Sequence, residues 1–231
     1  MLCLQGLQKL TLLDYPGYVA CTVFTGGCNF RCPFCQNSDL LVTRPQGQYT
    51  AQEILTFLEH RKNILDGVCI SGGEPLLQEN LPQFLQEVRK LGYSFKLDTN
   101  GSFPDILEQL VTDGLVDYVA MDIKNSLARY EVTTGTTGLY TRAVIRSVDF
   151  LLQGDVEYEF RTTVVKELHR PADLLELSYW IAGASRYYLQ SFVDSSCVLE
   201  PGMHGYTARE MEELRQLILP QVPAAQLRGI G

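Results

Sequence analysis

The chain has 231 residues, the length of one large α/β domain, so we expect a single fold with one extended core rather than two domains. Hydrophobic residues make up 45% of the chain and charged residues 20%, which excludes a disordered or fibrous protein. The formal charge of −8 gives no basic surface for nucleic acid, and no apolar run approaches the length of a membrane span. The composition and the first residues therefore predict a cytoplasmic protein that contacts neither nucleic acid nor membrane.

Six short apolar or β-branched runs predict six strands, at residues 19–24, 68–71, 95–98, 118–122, 157–165 and 187–193. Stretches with helical spacing separate these runs. Two of them begin with a capping box, Thr50 with Glu53 and Thr207 with Glu210. Further helices are expected to begin at Asn80, Ser102, Thr137 and Pro171.

A strand followed by a helix, repeated six times, predicts parallel strands joined by right-handed crossovers. The expected fold class is α/β, a partial (β/α)6 barrel of the TIM type, open at one side, with its mouth at the carboxyl ends of the strands. An open doubly wound sheet is the alternative. The expected single domain covers residues 1–231, with a core at about 19–219, a short N-terminal extension and a mobile tail at 227–231.

Three of the seven cysteines, Cys28, Cys32 and Cys35, lie close together after the first predicted strand. The preceding Gly26 and Gly27 permit a sharp backbone path. Three thiolates spaced four and three residues apart on one loop can converge on a compact metal cluster. A structural zinc site is the alternative, although it needs a fourth ligand from elsewhere in the chain.

The pattern C-x-x-x-C-x-aromatic-C, formed by Cys28, Cys32, Phe34 and Cys35, resembles the fingerprint of the radical S-adenosylmethionine (SAM) enzymes. The resemblance implies that the three cysteines bind a [4Fe–4S] cluster whose fourth iron is chelated by the methionine moiety of SAM. It also implies that Phe34 and Gln36 lie beside the adenine through their backbone. The amide of the nearby Asn37 has two interpretations, a contact with SAM or the stabilisation of a turn.

The second predicted strand ends in Ser71-Gly72-Gly73-Glu74-Pro75. Two glycines let the backbone approach a ligand closely, and a carboxylate accepts hydrogen bonds from an ammonium group. This segment resembles the G-G-E-P motif of the same family. The resemblance implies that Gly73 and Glu74 hold the amino group of SAM, with Ser71 and Gly72 beside it. A plain turn before a helix is the alternative.

The third and fourth predicted strands run into Asp98-Thr99-Asn100-Gly101 and Met121-Asp122-Ile123-Lys124. Asp122 and Lys124 are two residues apart, so they face the same side of a strand and form either a site for a zwitterionic ligand or a rim ion pair. Both segments resemble elements of the glycyl-radical-enzyme activating branch of the family. That resemblance implies SAM contacts from Asp98, Thr99, Asp122 and the catalytic Lys124, and a monovalent cation held by the two aspartates.

Arg161 lies in the fifth predicted strand, where an inward guanidinium could bind a carboxylate or a ribose. An ordinary surface arginine is the alternative. The resemblance runs from Gly26 to about Val165 and weakens beyond it. His204 falls too far along the chain to align with the SAM-contacting histidine of relatives that activate pyruvate formate-lyase.

With the segment 12–17, the chain most resembles the anaerobic ribonucleoside-triphosphate reductase activating proteins of this branch. The resemblance implies an oxidoreductase that reductively cleaves SAM and uses the 5′-deoxyadenosyl radical to install a glycyl radical on a partner enzyme. Flavodoxin or ferredoxin is the electron donor that the family implies. One alternative is a radical SAM enzyme acting on a small-molecule or nucleoside-like substrate. The other is a zinc-bearing, noncatalytic interaction module.

Overall fold

The computed structural model describes residues 2–42, 47–195 and 197–230. Eight strands form one sheet in the order in which they occur along the chain. They are β1 (Leu4–Thr11), β2 (Ala20–Thr25), β3 (Gly67–Gly72), β4 (Ser94–Thr99), β5 (Tyr118–Asp122), β6 (Glu157–Val164), β7 (Tyr187–Ser191) and β8 (Ala225–Arg228). The α-helices of the described ranges are α1 (Ala51–His60), α2 (Leu81–Lys90), α3 (Pro104–Thr112), α4 (Tyr130–Thr134), α5 (Gly138–Leu152), α6 (Pro171–Trp180) and α7 (Ala208–Ile218).

All strands from β2 to β8 pair in parallel with their neighbours, and β1 pairs antiparallel with β2. β1 and β8 occupy the two edges of the sheet. The fold is therefore a mostly parallel partial barrel that is open at one side, as predicted. The six predicted strands correspond to β2 to β7, each boundary lying within two residues of the observed one.

The two edge strands were not predicted. The expected N-terminal extension contains β1, which pairs with the full length of β2. The prediction of a mobile tail at 227–231 is wrong for Leu227 and Arg228, which belong to β8, and Gly231 lies outside the described residues. Arg228 donates to the buried Glu159 at 3.0 and 3.2 Å and stacks on Tyr188 at 3.7 Å. Both partners lie far from Arg228 in the sequence, so the four residues of β8 carry no local signal that predicts a strand.

Both predicted capping boxes are present. Thr50 and Thr207 each accept a backbone N–H through the hydroxyl, from Glu53 and Glu210, and each glutamate bonds back to the backbone of its threonine. The helices pack their apolar faces against the outside of the sheet. Helix α2 shows the pattern, since it buries Leu81, Phe84, Leu85 and Val88, and full burial of such side chains contributes about 1.5–3 kcal/mol each.

The inner face of the sheet is polar, in contrast to its outer face. Along β4, Phe95 and Leu97 pack in the apolar core, while Lys96 and Asp98 alternate with them in the sequence and pair with each other. Because successive side chains on a strand point to opposite faces, this alternation directs charged groups into the barrel. Within the described ranges, no helix is both long and apolar enough to cross a membrane.

Candidate active site

A cavity of about 410 Å³ lies inside the barrel and opens where the parallel strands end. Every predicted site residue except Glu74 lines this cavity: Cys28, Cys32, Phe34, Cys35, Gln36, Asn37, Ser71, Gly72, Gly73, Asp98, Thr99, Asp122, Lys124 and Arg161. These residues come from one loop and four strand ends that lie far apart in the sequence. Parallel pairing brings them together, because it places the carboxyl ends of all these strands on one side of the barrel.

The cysteine loop, residues 26–37, follows β2 directly. The Cys32 side chain is buried, and the backbone N–H of Phe30 donates to Cys28 Sγ at 3.4 Å. Burial raises the pKa of Cys28 to about 11 and that of Cys32 to about 12. Both thiols are therefore protonated at neutral pH in the metal-free protein, and bound metal would have to supply the positive charge that deprotonates them.

The cysteine loop offers three thiol donors to one cavity. No group of three or more His, Cys, Asp or Glu side chains in the described part of the chain is placed to hold one metal ion. In a [4Fe–4S] cluster each thiolate binds its own iron, so the sulfur atoms stand around the cluster instead of meeting at a point. A closed zinc site needs four donors that converge on one ion. Three sulfur atoms lining one cavity, with an N–H group donating to one of them, fit the cluster.

Residues that follow β7 hold the cysteine loop in place. The N–H of Leu199 donates to the carbonyl oxygen of Cys35 at 3.1 Å, and the N–H of Glu200 donates to that of Pro33 at 2.9 Å. The amide of Gln36 donates to the carbonyl oxygen of Val193 at 2.8 Å. The C-terminal third of the chain therefore stabilises the cysteine loop through backbone hydrogen bonds, which the motifs did not predict.

The Gly-Gly turn after β3 packs directly against the entry of the cysteine loop. Gly72 has φ of +128°, a conformation that favours glycine. A Cβ atom at Gly73 would clash with the carbonyl oxygen of Gly27, which accepts the backbone N–H of Glu74 at 2.8 Å. Both glycines are therefore required for the two motifs to share one wall of the cavity.

Glu74 lies behind the cavity lining, and its contact with the amino group of a ligand stays a prediction. Its carboxylate is fully buried and accepts from Leu76 N at 3.0 Å, Thr99 Oγ1 at 2.8 Å and Asn100 N at 2.7 Å. Burial raises the pKa of Glu74 to about 7, even though these donors favour the ionised form. The side chain ties the Gly-Gly turn to the end of β4, and the turn presents Gly72 and Gly73 to the cavity instead.

Five charged side chains form a continuous row across the inner face, which we call the charge ladder: Lys96, Asp98, Arg161, Asp122 and Lys124. Arg161 is 12% exposed and donates to Asp122 Oδ1 at 2.8 Å and to Asp98 Oδ2 at 3.3 Å. Lys96 pairs with Asp98, and Lys124 pairs with Asp122 at 3.0 Å. Burial alone would raise the pKa of Asp122, but the charges of Arg161 and Lys124 outweigh it and lower the pKa to about 2. The inward orientation considered for Arg161 is the observed one.

Further lining residues were not predicted, and they are Asp14, Phe30, Leu41, Asn100, Thr163 and Gln190. For two of these residues the sequence held a signal that could have predicted a place in the site. Thr163 lies two residues after Arg161 on β6 and so faces the same side, and Asp14 lies in the segment 12–17 that contributed to the resemblance. Asp14 accepts the Thr22 hydroxyl at 2.6 Å. Behind the lining, the buried His169 contacts the ring of Phe34 and the backbone of Lys124.

The family model described as Radical SAM superfamily matches residues 22–170. The chain therefore belongs to the radical SAM superfamily, whose members use a [4Fe–4S] cluster and SAM. Curated relatives of the chain include proteins named as glycyl-radical enzyme activating enzymes. A Methanocaldococcus jannaschii protein named as a glycyl-radical enzyme activating enzyme is 29% identical over 192 residues, 81% of this chain and 79% of the relative.

Two further relatives match a shorter part of the chain. The pyruvate formate-lyase-activating enzyme of Clostridium pasteurianum is 34% identical over 130 residues, 53% of this chain and 52% of the relative. The 7-carboxy-7-deazaguanine synthase of Methanopyrus kandleri is 29% identical over 143 residues, 53% of this chain and 54% of the relative. These alignments span only about half the length of either relative.

Solved structures support the fold. Streptococcus suis SuiB bound to S-adenosylmethionine superposes with a TM-score of 0.68 at 15% identity, covering 89% of this chain and 48% of SuiB. A domain of pyruvate-formate lyase-activating enzyme from Bacteroides vulgatus superposes with a TM-score of 0.58 at 15% identity, covering 71% of this chain and 99% of that domain.

Proposed function

We propose that the protein installs a glycyl radical on a partner enzyme of the anaerobic ribonucleoside-triphosphate reductase type. The observation that carries this proposal is the convergence of the three cysteines, the Gly-Gly turn and the charge ladder on one cavity. The relatives named as activating enzymes support the reaction class. The segment 12–17, which resembles that of the reductase activating proteins, supports the choice of partner.

In this proposal Cys28, Cys32 and Cys35 hold a [4Fe–4S] cluster. When bound, the cluster supplies one electron to the sulfonium of SAM, whose carbon–sulfur bond then breaks to give methionine and a 5′-deoxyadenosyl radical that takes a hydrogen atom from the partner's glycine. The backbone of Phe34 and Gln36 lies along the adenine.

The remaining lining residues bind and orient SAM. The backbone carbonyl oxygens of Gly72 and Gly73 accept hydrogen bonds from the amino group of SAM, beside the hydroxyl of Ser71. Lys124, held by Asp122, offers its ammonium to the carboxylate of SAM. Asn37 and Thr99 supply further polar contacts within the same wall of the cavity.

The barrel excludes water from the reaction while its mouth admits a peptide loop. A carbon radical abstracts hydrogen from almost any neighbouring C–H bond, so the reacting groups must be enclosed and fixed. The cavity lies inside the barrel, and its opening at the strand ends provides the entrance for the partner's glycine loop. The single domain, the cytoplasmic location and an electron donor of the flavodoxin or ferredoxin type stay predictions.

Electron paramagnetic resonance tests the proposal. The reconstituted, reduced protein mixed with SAM and an anaerobic ribonucleoside-triphosphate reductase should produce the doublet of a glycyl radical, and a reductase with its radical glycine changed to alanine should produce none. The absence of a doublet with every glycyl-radical partner tested would refute the activase function. The similarity to 7-carboxy-7-deazaguanine synthase favours a second candidate, a small-molecule substrate. In that case a metabolite rather than a protein would raise the yield of 5′-deoxyadenosine.

A further inference from the structure

The family resemblance implies a monovalent cation between Asp98 and Asp122, and the residues present do not fit one. Asp98 Oδ1 pairs with the ammonium of Lys96. Asp98 Oδ2 accepts from the Ser71 hydroxyl at 3.1 Å and from Arg161 Nη1 at 3.3 Å. Both oxygen atoms of this carboxylate therefore already have donors, and two of those donors carry a full positive charge.

The second carboxylate is occupied in the same way. Asp122 Oδ1 accepts from Arg161 Nε at 2.8 Å, and Asp122 Oδ2 accepts from Lys124 Nζ at 3.0 Å. A cation placed between the aspartates would displace these donors and lie beside their positive charges. The electrostatics oppose that arrangement, because like charges at such distances repel strongly away from bulk water.

Lys96 completes this arrangement. Its side chain is 2% exposed, on the face of β4 that also carries Asp98. A buried ammonium is tolerated only when it is paired, and the carboxylate of Asp98 provides that pairing. The charge ladder then holds three positive and two negative side chains, so its net charge of +1 is present without any bound ion.

We propose that Lys96, together with Arg161, takes the place of the monovalent cation, so that this enzyme binds SAM without sodium or potassium. The inference rests on the SAM site proposed above. The Lys96 ammonium pairs with Asp98 in place of a bound ion, and the ladder keeps its excess positive charge for the carboxylate of SAM. Removing the ammonium would leave Asp98 Oδ1 free, and an alkali cation could then enter beside it.

The test measures SAM binding by anaerobic equilibrium dialysis of the cluster-loaded protein. Sodium chloride, potassium chloride and choline chloride are compared at equal ionic strength, because choline is too large to enter the site. The wild-type dissociation constant should agree within about twofold among the three salts, since general screening is the same in each. Lys96→Met should bind SAM about tenfold more weakly in choline chloride and recover in sodium or potassium chloride.

Lys90→Met is the matched control, because Lys90 is a surface lysine of α2 that pairs with Glu87. It should match the wild type in every salt. A wild-type protein that needs sodium or potassium to bind SAM would overturn the inference, as would a Lys96→Met variant weakened equally in all three salts. The wild-type comparison decides the question alone if Lys96→Met does not fold. If the wild type binds SAM in none of the three salts, the proposed function itself is refuted.

Discussion

The ring of His169 donates from Nε2 to the carbonyl oxygen of Lys124 at 2.7 Å. A carbonyl oxygen can only accept, so Nε2 carries the proton, and Nδ1 accepts the backbone N–H of Val165 at 3.1 Å. Burial lowers the pKa of His169, which keeps the ring neutral. The ring also stands edge-on to Phe34, with 5.7 Å between centroids. His169 thus connects the cysteine loop to the strand end that carries Lys124.

We expect His169 to position Lys124 and Phe34 for SAM. His169→Ala removes both contacts and should weaken SAM binding about tenfold, whereas His169→Gln keeps an N–H donor for the Lys124 carbonyl and should stay within about threefold of wild type. Equilibrium dialysis of the cluster-loaded variants measures both constants. Equal losses in the two variants would show that the hydrogen bond to Lys124 does not matter.

The buried Glu74 should make stability depend on pH. Its folded pKa is raised from 4.5 to about 7, so the folded protein binds more protons than the unfolded chain in this window, and stability falls as the pH rises through it. Glu74→Gln cannot ionise. The stability of this variant relative to wild type should therefore increase by up to about 3 kcal/mol between pH 4.5 and pH 8. Urea unfolding across this range measures the difference, and a value that is constant with pH would contradict the prediction.

Arg161 should contribute far more to stability than a surface arginine. Arg161→Met leaves Asp98 and Asp122 facing each other with one partner fewer, and losing one member of a buried ion network typically costs about 3–5 kcal/mol. Arg146 is the matched control, since it is 51% exposed and pairs with Asp105 and Glu108. Arg146→Met should cost less than about 1 kcal/mol. Similar unfolding free energies for the two variants would contradict the account of the charge ladder.

Gly73 should tolerate no side chain. Gly73→Ala places a methyl group against the carbonyl oxygen of Gly27, so the turn and the cysteine loop must separate. Gly114→Ala is the comparison, because its Cβ would meet open space and only its φ of +65° is unfavourable, a cost of about 1–2 kcal/mol. After anaerobic reconstitution, Gly114→Ala should retain its iron and Gly73→Ala should lose most of it. Full iron content in Gly73→Ala would show that the close approach is dispensable.

The central strands were predictable because each one carries a local pattern of apolar or β-branched residues. Strands β2 to β7 are recognisable from sequence alone, and the cysteine and glycine motifs fall at their carboxyl ends. The edge strand β8 was missed because the contacts that hold it are not local in the sequence. β8 is held by Arg228 on Glu159, a contact between residues 69 positions apart. No short window of sequence contains both partners.

The candidate site was predictable residue by residue but not in its connections. The motifs identified most of the cavity lining, yet they did not indicate that the Glu74 carboxylate bonds to Thr99 and Asn100. Nor did they show that Lys96 pairs with Asp98 or that His169 supports Lys124. Each of these features is a tertiary contact between buried polar groups, which follows from the assembled barrel rather than from a local pattern.

The iron and acid-labile sulfide content of the anaerobically reconstituted protein tests the central claim, that Cys28, Cys32 and Cys35 hold one cluster facing the cavity. The wild-type protein should contain about four iron and four sulfide per chain, as a [4Fe–4S] cluster requires. Both should be lost in Cys32→Ala but not in Cys21→Ala, whose thiol lies in the apolar core. Zinc without sulfide in the wild-type protein, or a full complement of iron in Cys32→Ala, would contradict it.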